Sequence, residues 1–374
     1  MREGWDILPL GDLCKTGAGG TPLKSFKEYY EGGDIPWLMS GEVGQGEITE
    51  TTNYITRSGL ENSSARLFPP NTLLVAMYGA TAGQVGILRF EASTNQAVCG
   101  ILPSDKFLPE FLYYFFLFKK DELVAQAAGN AQPNISQIKI KNTGVPTAPL
   151  PEQRRIVAIL DEAFEGIATA KANAEKNLQN AREVFESHLN AVFSQRGEGW
   201  VEKPISECFK IRNGDFLPSK SMVQSGEYDV YGGNGINGKH NQKNISGCNI
   251  IIGRVGAKCG NVRFVNGDLW VTDNAFYISR FIVDVDKHLL AMILKRKDLR
   301  TTANHAAQPV ISYSTIKDVV IEFPAEAYEQ RRIVESIMIM EVETQHLESL
   351  YQQKLTALDE LKQSLLHQAF NGDL

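Results

Sequence analysis

Two segments of this chain, Glu152 to Phe193 and Glu329 to Phe370, hold a single glycine and no proline between them. In the first, a stripe runs through Ile156, Leu160, Ala163, Ile167, Ala170, Ala174, Asn177, Ala181, Val184, His188 and Ala191, spaced alternately by four and three. Adding 177 to each number gives Ile333, Ile337, Met340, Thr344, Leu347, Tyr351, Lys354, Leu358, Leu361, Leu365 and Gln368. A mostly apolar stripe of period 3.5 sustained over five heptads predicts coiled-coil helices, each on the order of 60 Å long. The first stripe is rich in alanine and the second in larger residues, which suits interdigitation within one chain; trimming by partner chains fits equally well. His188 lies on the stripe and is expected to be a packed or rim histidine. The remaining stretches are rich in Gly, Pro and Asn, with short β-branched runs such as NTLLVAMYG and CNIIIGRVG. These predict strands bounded by turns, with helical pieces such as PEFLYYFFLFKKDELV.

The pattern occurs twice. PEQRRIV at 151–157 is answered by YEQRRIV at 328–334, and AQPNIS at 131–136 by AQPVIS at 307–312. YGATAGQV at 78–85 parallels VGAKCGNV at 255–262, and TNQA at 94–97 parallels TDNA at 272–275. The openings agree too, GWDILPLGDLCK from Gly4 and GWVEKPISECFK from Gly199. Five matches in one order mark a duplicated unit. The expected fold class is α+β: two globular mixed α/β domains, 1–150 and 199–325, alternating with long helices in 151–198 and 326–374. Antiparallel packing of the helices would form a coiled coil and set the globules at opposite ends about a pseudo-two-fold axis. Local two-fold axes of the DNA duplex are exploited by paired half-site readers in the same way.

Composition narrows the function classes. The 374 residues are 43% hydrophobic and 22% charged, as in a globular protein with real cores. No apolar run approaches the roughly 18–20 residues of a membrane span, and no secretory leader is evident, so the expected compartment is bacterial or archaeal cytoplasm. The five cysteines form no C-x-x-C pair and the six histidines no H-x-H or H-x-x-x-H, so no metal site is expected. The net charge of −6 is uneven: residues 199–325 carry 16 Lys/Arg against 12 Asp/Glu, and residues 326–374 carry 4 against 9. A basic stretch within an acidic chain can still present a positive face. YGGNGINGK at 231–239 fits both G-x-G-x-x-G and most of a phosphate-loop pattern. A phosphate cradle needs a following helix N-terminus; here HNQKNISGCNIII runs on toward a strand, so a recognition loop is expected instead of a nucleotide site.

The ordered set of features resembles one family over the full chain, the specificity subunits of type I restriction-modification enzymes. The resemblance rests on the paired EQRRIV helix starts preceded by QPxIS, and on GGTP at 19–22 with GGDIPWL at 32–38. YGGNGING at 231–238 completes it. It implies two target-recognition domains, each reading half of a split DNA sequence, while the helices set the unread gap and dock two adenine-methylating modification subunits. Restriction subunits would join to form the nuclease. It implies no catalytic residue in this chain and no cofactor of its own: S-adenosylmethionine, and for restriction ATP and Mg2+, would belong to the partners. An adenine methyltransferase would need (N/D/S)-P-P-(Y/F), and the only Pro-Pro here stands in FPPN. The rival reading is a non-catalytic coiled-coil scaffold, or a DNA-binding protein without sequence preference.

A base reader needs amides and guanidiniums for base edges, and cations for phosphates. In the first domain the candidates are Lys15, Thr21, Lys24, Ser40, Glu42, Tyr78, Thr81 and Gln84. In the second they are Lys220, Asn234, Asn237, Lys239, His240, Asn241, Lys243, Arg254 and Lys258. The copies differ most at 16–60 against 211–243, which is where half-site specificity is expected, with two unlike half-sites. Positions that match between copies, Asn95/Asp273, Gln96/Asn274 and Gln132/Gln308, are expected to serve the fold. Ile156, Leu160, Ile167, Ile333, Ile337, Leu347, Leu358 and Leu361 are expected on the helix seam or against partners. Arg154, Arg155, Arg331 and Arg332 are expected at the junction of domain and helix.

Overall fold

The computed structural model describes residues 5–126, 134–304 and 308–374. The chain divides into two compact units, Met1–Asn177 with Tyr351–Leu374, and Leu178–Leu350. Four longer helices organise it: α1 (Pro109–Gln126), α2 (Leu150–Ser194), α3 (Lys287–Arg296) and α4 (Ala327–Asn371).

In the first unit a five-stranded sheet runs Thr16–Ala18, Val98–Ile101, Thr72–Ala76, Val85–Leu88, Gly46–Ile48 in spatial order. The strand Thr72–Ala76 is buried at every position, as the apolar run NTLLVAMYG predicts for a strand covered on both faces. Leu73, Val75 and Val85 lie in one core with Phe111 and Phe115 of α1, while Leu74 and Ala76 join a second core with Phe68 and Leu88. In the second unit a four-stranded sheet runs Phe209–Asn213, Ala275–Phe281, Asn249–Gly253, Val262–Val265. One of its faces packs on α3 through Ile250, Ile252, Leu289 and Ile293.

The repeat recurs in the structure of each unit. Each globule's first and last strands pair antiparallel, Ile7–Pro9 with Gly144–Pro146 and Trp200–Pro204 with Val320–Pro324. Gly79 and Gly83 have φ of 71° and 80°, and their repeats Gly256 and Gly260 have 94° and 84°. The block YGATAGQV/VGAKCGNV therefore matches because the same tight turn needs left-handed backbone at the same two places. Gln132 lies outside the described residues.

Where each globule meets its long helix, a buried glutamine is fully used. Gln153 accepts from the Leu108 N–H (2.9 Å) and donates to the Lys106 and Ala148 carbonyls (2.8 and 2.7 Å). Gln330 accepts from the Asp286 N–H (2.7 Å) and donates to the Asp284 and Pro324 carbonyls (3.3 and 2.8 Å). The arginines expected to make this junction do less: Arg155 and Arg332 pair with Glu152 and Glu329 one turn earlier on their own helices. EQRRIV thus signals an amide that stitches helix to globule, and its arginines stay exposed.

Both long helices form, and within each unit they pair antiparallel. In the first unit Arg155 donates to the Leu374 backbone oxygen (2.5 Å) and Lys171 pairs with Asp359. In the second Arg182 pairs with Glu348 (2.5 Å) and His188 Nε2 lies 3.0 Å from Ser336 Oγ, which makes His188 a packed rim residue. Ile156, Leu160, Ile167, Ile333 and Ile337 are buried, as are Ala174 and Ala181. Alternate positions of the expected stripe lie off the seam between the two helices. Leu347 and Leu361 are 37% and 47% exposed and Val184 is 56% exposed, while Leu358 is half-buried. The facing positions are instead Leu178, Phe185 and Val192 on α2, and Glu348, Leu355, Lys362 and Ala369 on α4, one residue further on. Every second position keeps its phase and the alternate one slips by one. A 4,3 and a 3,4 spacing share half their members, and a straight helix of 3.6 residues per turn drifts from one to the other.

Candidate nucleic-acid interface

In the second unit the stretch 228–240 is a hairpin, and the loop expected there is corrected. Strand Tyr228–Gly232 turns at Gly233–Asn234 into strand Gly235–His240, with Leu269–Val271 parallel on its other side. The glycines let backbone pass close to backbone: a Cβ on Gly233 would stand 2.7 Å from the Val255 carbonyl oxygen. The hairpin turn therefore packs against the segment that carries Arg254 and Lys258.

This hairpin gathers several of the candidates on one surface. Asn234, Asn237 and Lys239 are exposed on it, and Asn241 follows in a bend. Lys239 faces Asp229 across the strands at 3.1 Å, and Lys243 meets Asp268 at 2.5 Å. The bond to Asp268 holds Lys243 above the ordinary lysine value and holds Asp268 below the ordinary carboxylate value. Exposed pairs of this kind contribute little to folding, so both ammoniums can be re-partnered by phosphate at small cost. His240 is half-buried, its Nδ1 3.1 Å from the Ser221 carbonyl oxygen and its ring edge-on to Trp270. It clamps the segment bearing exposed Lys220 onto the hairpin. Lys258 is exposed, whereas Arg254 is half-buried, donating to the Asp273 carbonyl at 3.2 Å with its guanidinium over Phe276. Arg254 lines a groove of about 400 Å³ with Arg212, Asn213 and Tyr313.

The first unit's candidates are more dispersed and more often committed to the fold. Lys15 and Lys24 are exposed, Lys24 in a turn and Lys15 just before the strand Thr16–Ala18. Thr21 donates to Gln96, a matched position whose amide therefore serves the loop. Glu42 is an internal anchor: its carboxylate accepts from the Met39 N–H (2.8 Å), Thr51 (2.7 Å) and Asn53 (3.2 Å). Ser40 opens the same short helix and is half-buried. Tyr78 is 38% exposed and its carbonyl accepts from Thr81 at 3.2 Å, while Gln84 packs against the backbone of Gly44. Sequence reasoning missed Arg263, which donates to the Asn234 carbonyl (2.9 Å) and pins the hairpin turn. It also missed Phe216, 73% exposed on the loop whose far end is tied to this hairpin. An aromatic residue in a Gly/Asp/Pro loop was the available signal.

Among the described residues no cluster could hold a metal ion, and no helix is long and apolar enough to cross a membrane. The MjaIX specificity subunit of Methanocaldococcus jannaschii is 28% identical over 242 residues, 59% of this chain and 55% of its own length. The EcoprrI specificity subunit of Escherichia coli is 26% identical over 349 residues, 87% of this chain and 85% of its own. The chain thus spans little more than half of the first relative and most of the second. A solved chain concerned with complex assembly and conformational transition of the type I R-M system superposes at a TM-score of 0.81 with 20% identity, covering 100% and 99% of the two chains. The HsdS subunit from Thermoanaerobacter tengcongensis superposes at 0.64 with 19% identity over 100% and 98%. These likenesses concern the fold. The family model for the type I restriction modification DNA specificity domain matches twice, over residues 2–179 and 197–356. With two such matches spanning most of its length, the chain belongs to the type I restriction-modification DNA specificity family.

Proposed function

We propose that this chain is the non-catalytic specificity subunit of a type I restriction-modification complex, and that each globule reads one half of an asymmetric bipartite DNA target. The long helices set the gap between half-sites and dock two modification subunits; restriction subunits complete the nuclease. S-adenosylmethionine, ATP and Mg2+ then belong to those partners, which carry the chemistry. The observation that supports this reading best is the family's domain occurring twice, each copy closed by its own strand pair and glutamine stitch, with unlike surfaces between. Identical frames with different reading surfaces suit two different half-sites.

The test is modularity. The full chain is co-expressed with its modification subunits, and methylated adenines are mapped genome-wide. Exchanging residues 199–325 for another recognition domain should change one half of the target and leave the other half and the gap intact. Lengthening the segment between Glu186 and Trp200 should change the gap alone. A swap that altered both halves would defeat independent reading. The assembled complex should prefer its site over random DNA by roughly 10³-fold or more; binding that falls with salt but shows no preference would favour the non-specific rival.

A further inference from the structure

Resting on that reading, we infer that Phe216 is a base-reading residue of the second unit and that its partner is the 5-methyl group of a thymine. The ring is 73% exposed, so it forgoes most of the stabilisation that burial gives a phenyl group. Its backbone, in contrast, is closely held. The Gly214 N–H donates to the Ala275 carbonyl at 3.1 Å and the Asp215 N–H to the Val271 carbonyl at 2.9 Å. Asn244 donates to the Asp215 carboxylate (2.9 Å) while exchanging two further bonds with Val271 (2.8 and 2.7 Å), and Trp270 Nε1 reaches the Asp215 carbonyl at 3.3 Å. Gly214 has no room for a side chain, since a Cβ would stand 2.1 Å from the Val271 carbonyl oxygen. The far end of the loop is tied to the hairpin by the Val223 N–H to the Lys239 carbonyl (2.9 Å) and by Ser221 to His240. A loop anchored at both ends thus presents one bare ring, four residues before exposed Lys220.

A phenyl group offers base edges neither donor nor acceptor. The one apolar group on a base edge in the major groove is the thymine methyl. The loop that bears the ring is tied at its far end to the hairpin that carries exposed Asn237 and Lys239, groups suited to base edges and phosphates. Leu217 and Pro218 beside it are half-buried, so a single ring projects rather than the bulk of a wedge inserted between base steps. Ile236 on the hairpin is 57% exposed as well; Phe216 is the barer side chain and the one held on a loop pinned at both ends, and an apolar group so held can tell thymine from the other bases.

The test uses the full chain assembled with its modification subunits and its mapped target duplex, in which each thymine in turn is replaced by uracil, which lacks only the methyl. In the half-site that follows residues 199–325, one such replacement should weaken wild-type binding about fourfold, the value of one buried methyl. Phe216→Ala should weaken binding to the intact target about tenfold and become indifferent to that uracil, the non-additivity expected of direct partners. Phe216→Leu should keep part of the methyl sensitivity, and the other half-site should respond identically in all three proteins. Target preference with no uracil-sensitive position, or with sensitivity undiminished in Phe216→Ala, would overturn the inference and leave the specificity reading standing. Equal loss on thymine and uracil, with 2-aminopurine unstacking only in the wild type, would place the ring between bases and overturn it too. Loss of all target preference in the wild type would sink both.

Discussion

The two units seat their long helices on the same frame with opposite fillings. In the first unit the end of α4 is driven into an aromatic cluster: Phe370 lies 5.3 to 5.6 Å from the rings of Phe111, Phe115 and Phe118, and Phe164 packs edge-on to Tyr114. In the second unit the end of α2 brings Phe193, Leu189 and Phe185 to the corresponding place and leaves an apolar cavity of about 170 Å³. At the repeat's own offset of 177 the reason is visible. Phe111, Tyr114, Phe115 and Phe118 become His288, Ala291, Met292 and Lys295, which line that cavity. Phe164 and Lys362, which meet as a ring and an ammonium at 4.8 Å, become Glu341 and Phe185. Duplication preserved the frame, and divergence emptied one of its two sockets. Equivalent positions in the copies are therefore unequal in energy.

That comparison can be broken most directly at the two equivalent phenylalanines. Phe370→Ala should destabilise the first unit by about 3–5 kcal/mol, the usual cost of removing a buried ring. Phe193→Ala should cost the second about 1–2 kcal/mol, because the half-buried ring already borders a cavity. Hydrogen exchange resolved along the chain reads each unit by itself; equal losses would show the sockets to be energetically alike. The glutamine stitches sharpen the same comparison from the other side. Gln153→Leu and Gln330→Leu each strand one buried N–H and two carbonyls, so each should cost about 2–3 kcal/mol, and by similar amounts in the two units. A large difference between them would mean that the frame itself had diverged.

The smallest effect concerns Lys362. Burial lowers its pKa, with Lys171 and Lys120 adding to the shift and Asp359 opposing it. A lysine whose folded value lies below its unfolded one binds fewer protons in the folded state. Stability of the first unit should therefore rise with pH from the lowered value up to the unfolded value, about 10.4. Lys362→Met should flatten that alkaline rise and change neutral stability by at most about 0.5 kcal/mol. Chemical denaturation at stepped pH measures it, and an unchanged slope would assign the rise to other groups.

Much of the architecture is readable in the sequence. The strands at NTLLVAMYG and CNIIIGRVG, the helix beginning at Pro109 and the two long helices are local patterns, and they form where expected. The seam was half readable, because Leu347, Leu361 and Val184 satisfy a heptad on paper while the opposite helix meets Glu348, Lys362 and Phe185. Apolar character identifies a helix face only to within one residue when polar stems can also cover the seam. The candidate interface was readable as a region and poorly readable as residues. Glu42 and His240 have side chains suited to DNA, yet their partners, Thr51, Asn53 and Ser221, lie up to 19 residues away and turn them inward.

What the chain determined by itself is a unit written twice, each copy a globule followed by a long helix, because periodicity and repetition need no knowledge of neighbours. Only the tertiary structure decided that EQRRIV works through its glutamine, that YGGNGING is a hairpin, and that Phe216 stands bare on a pinned loop. Hydrogen bonding and burial are relations between groups distant in sequence, and a side chain's role follows from which of its possible partners the fold brings within reach.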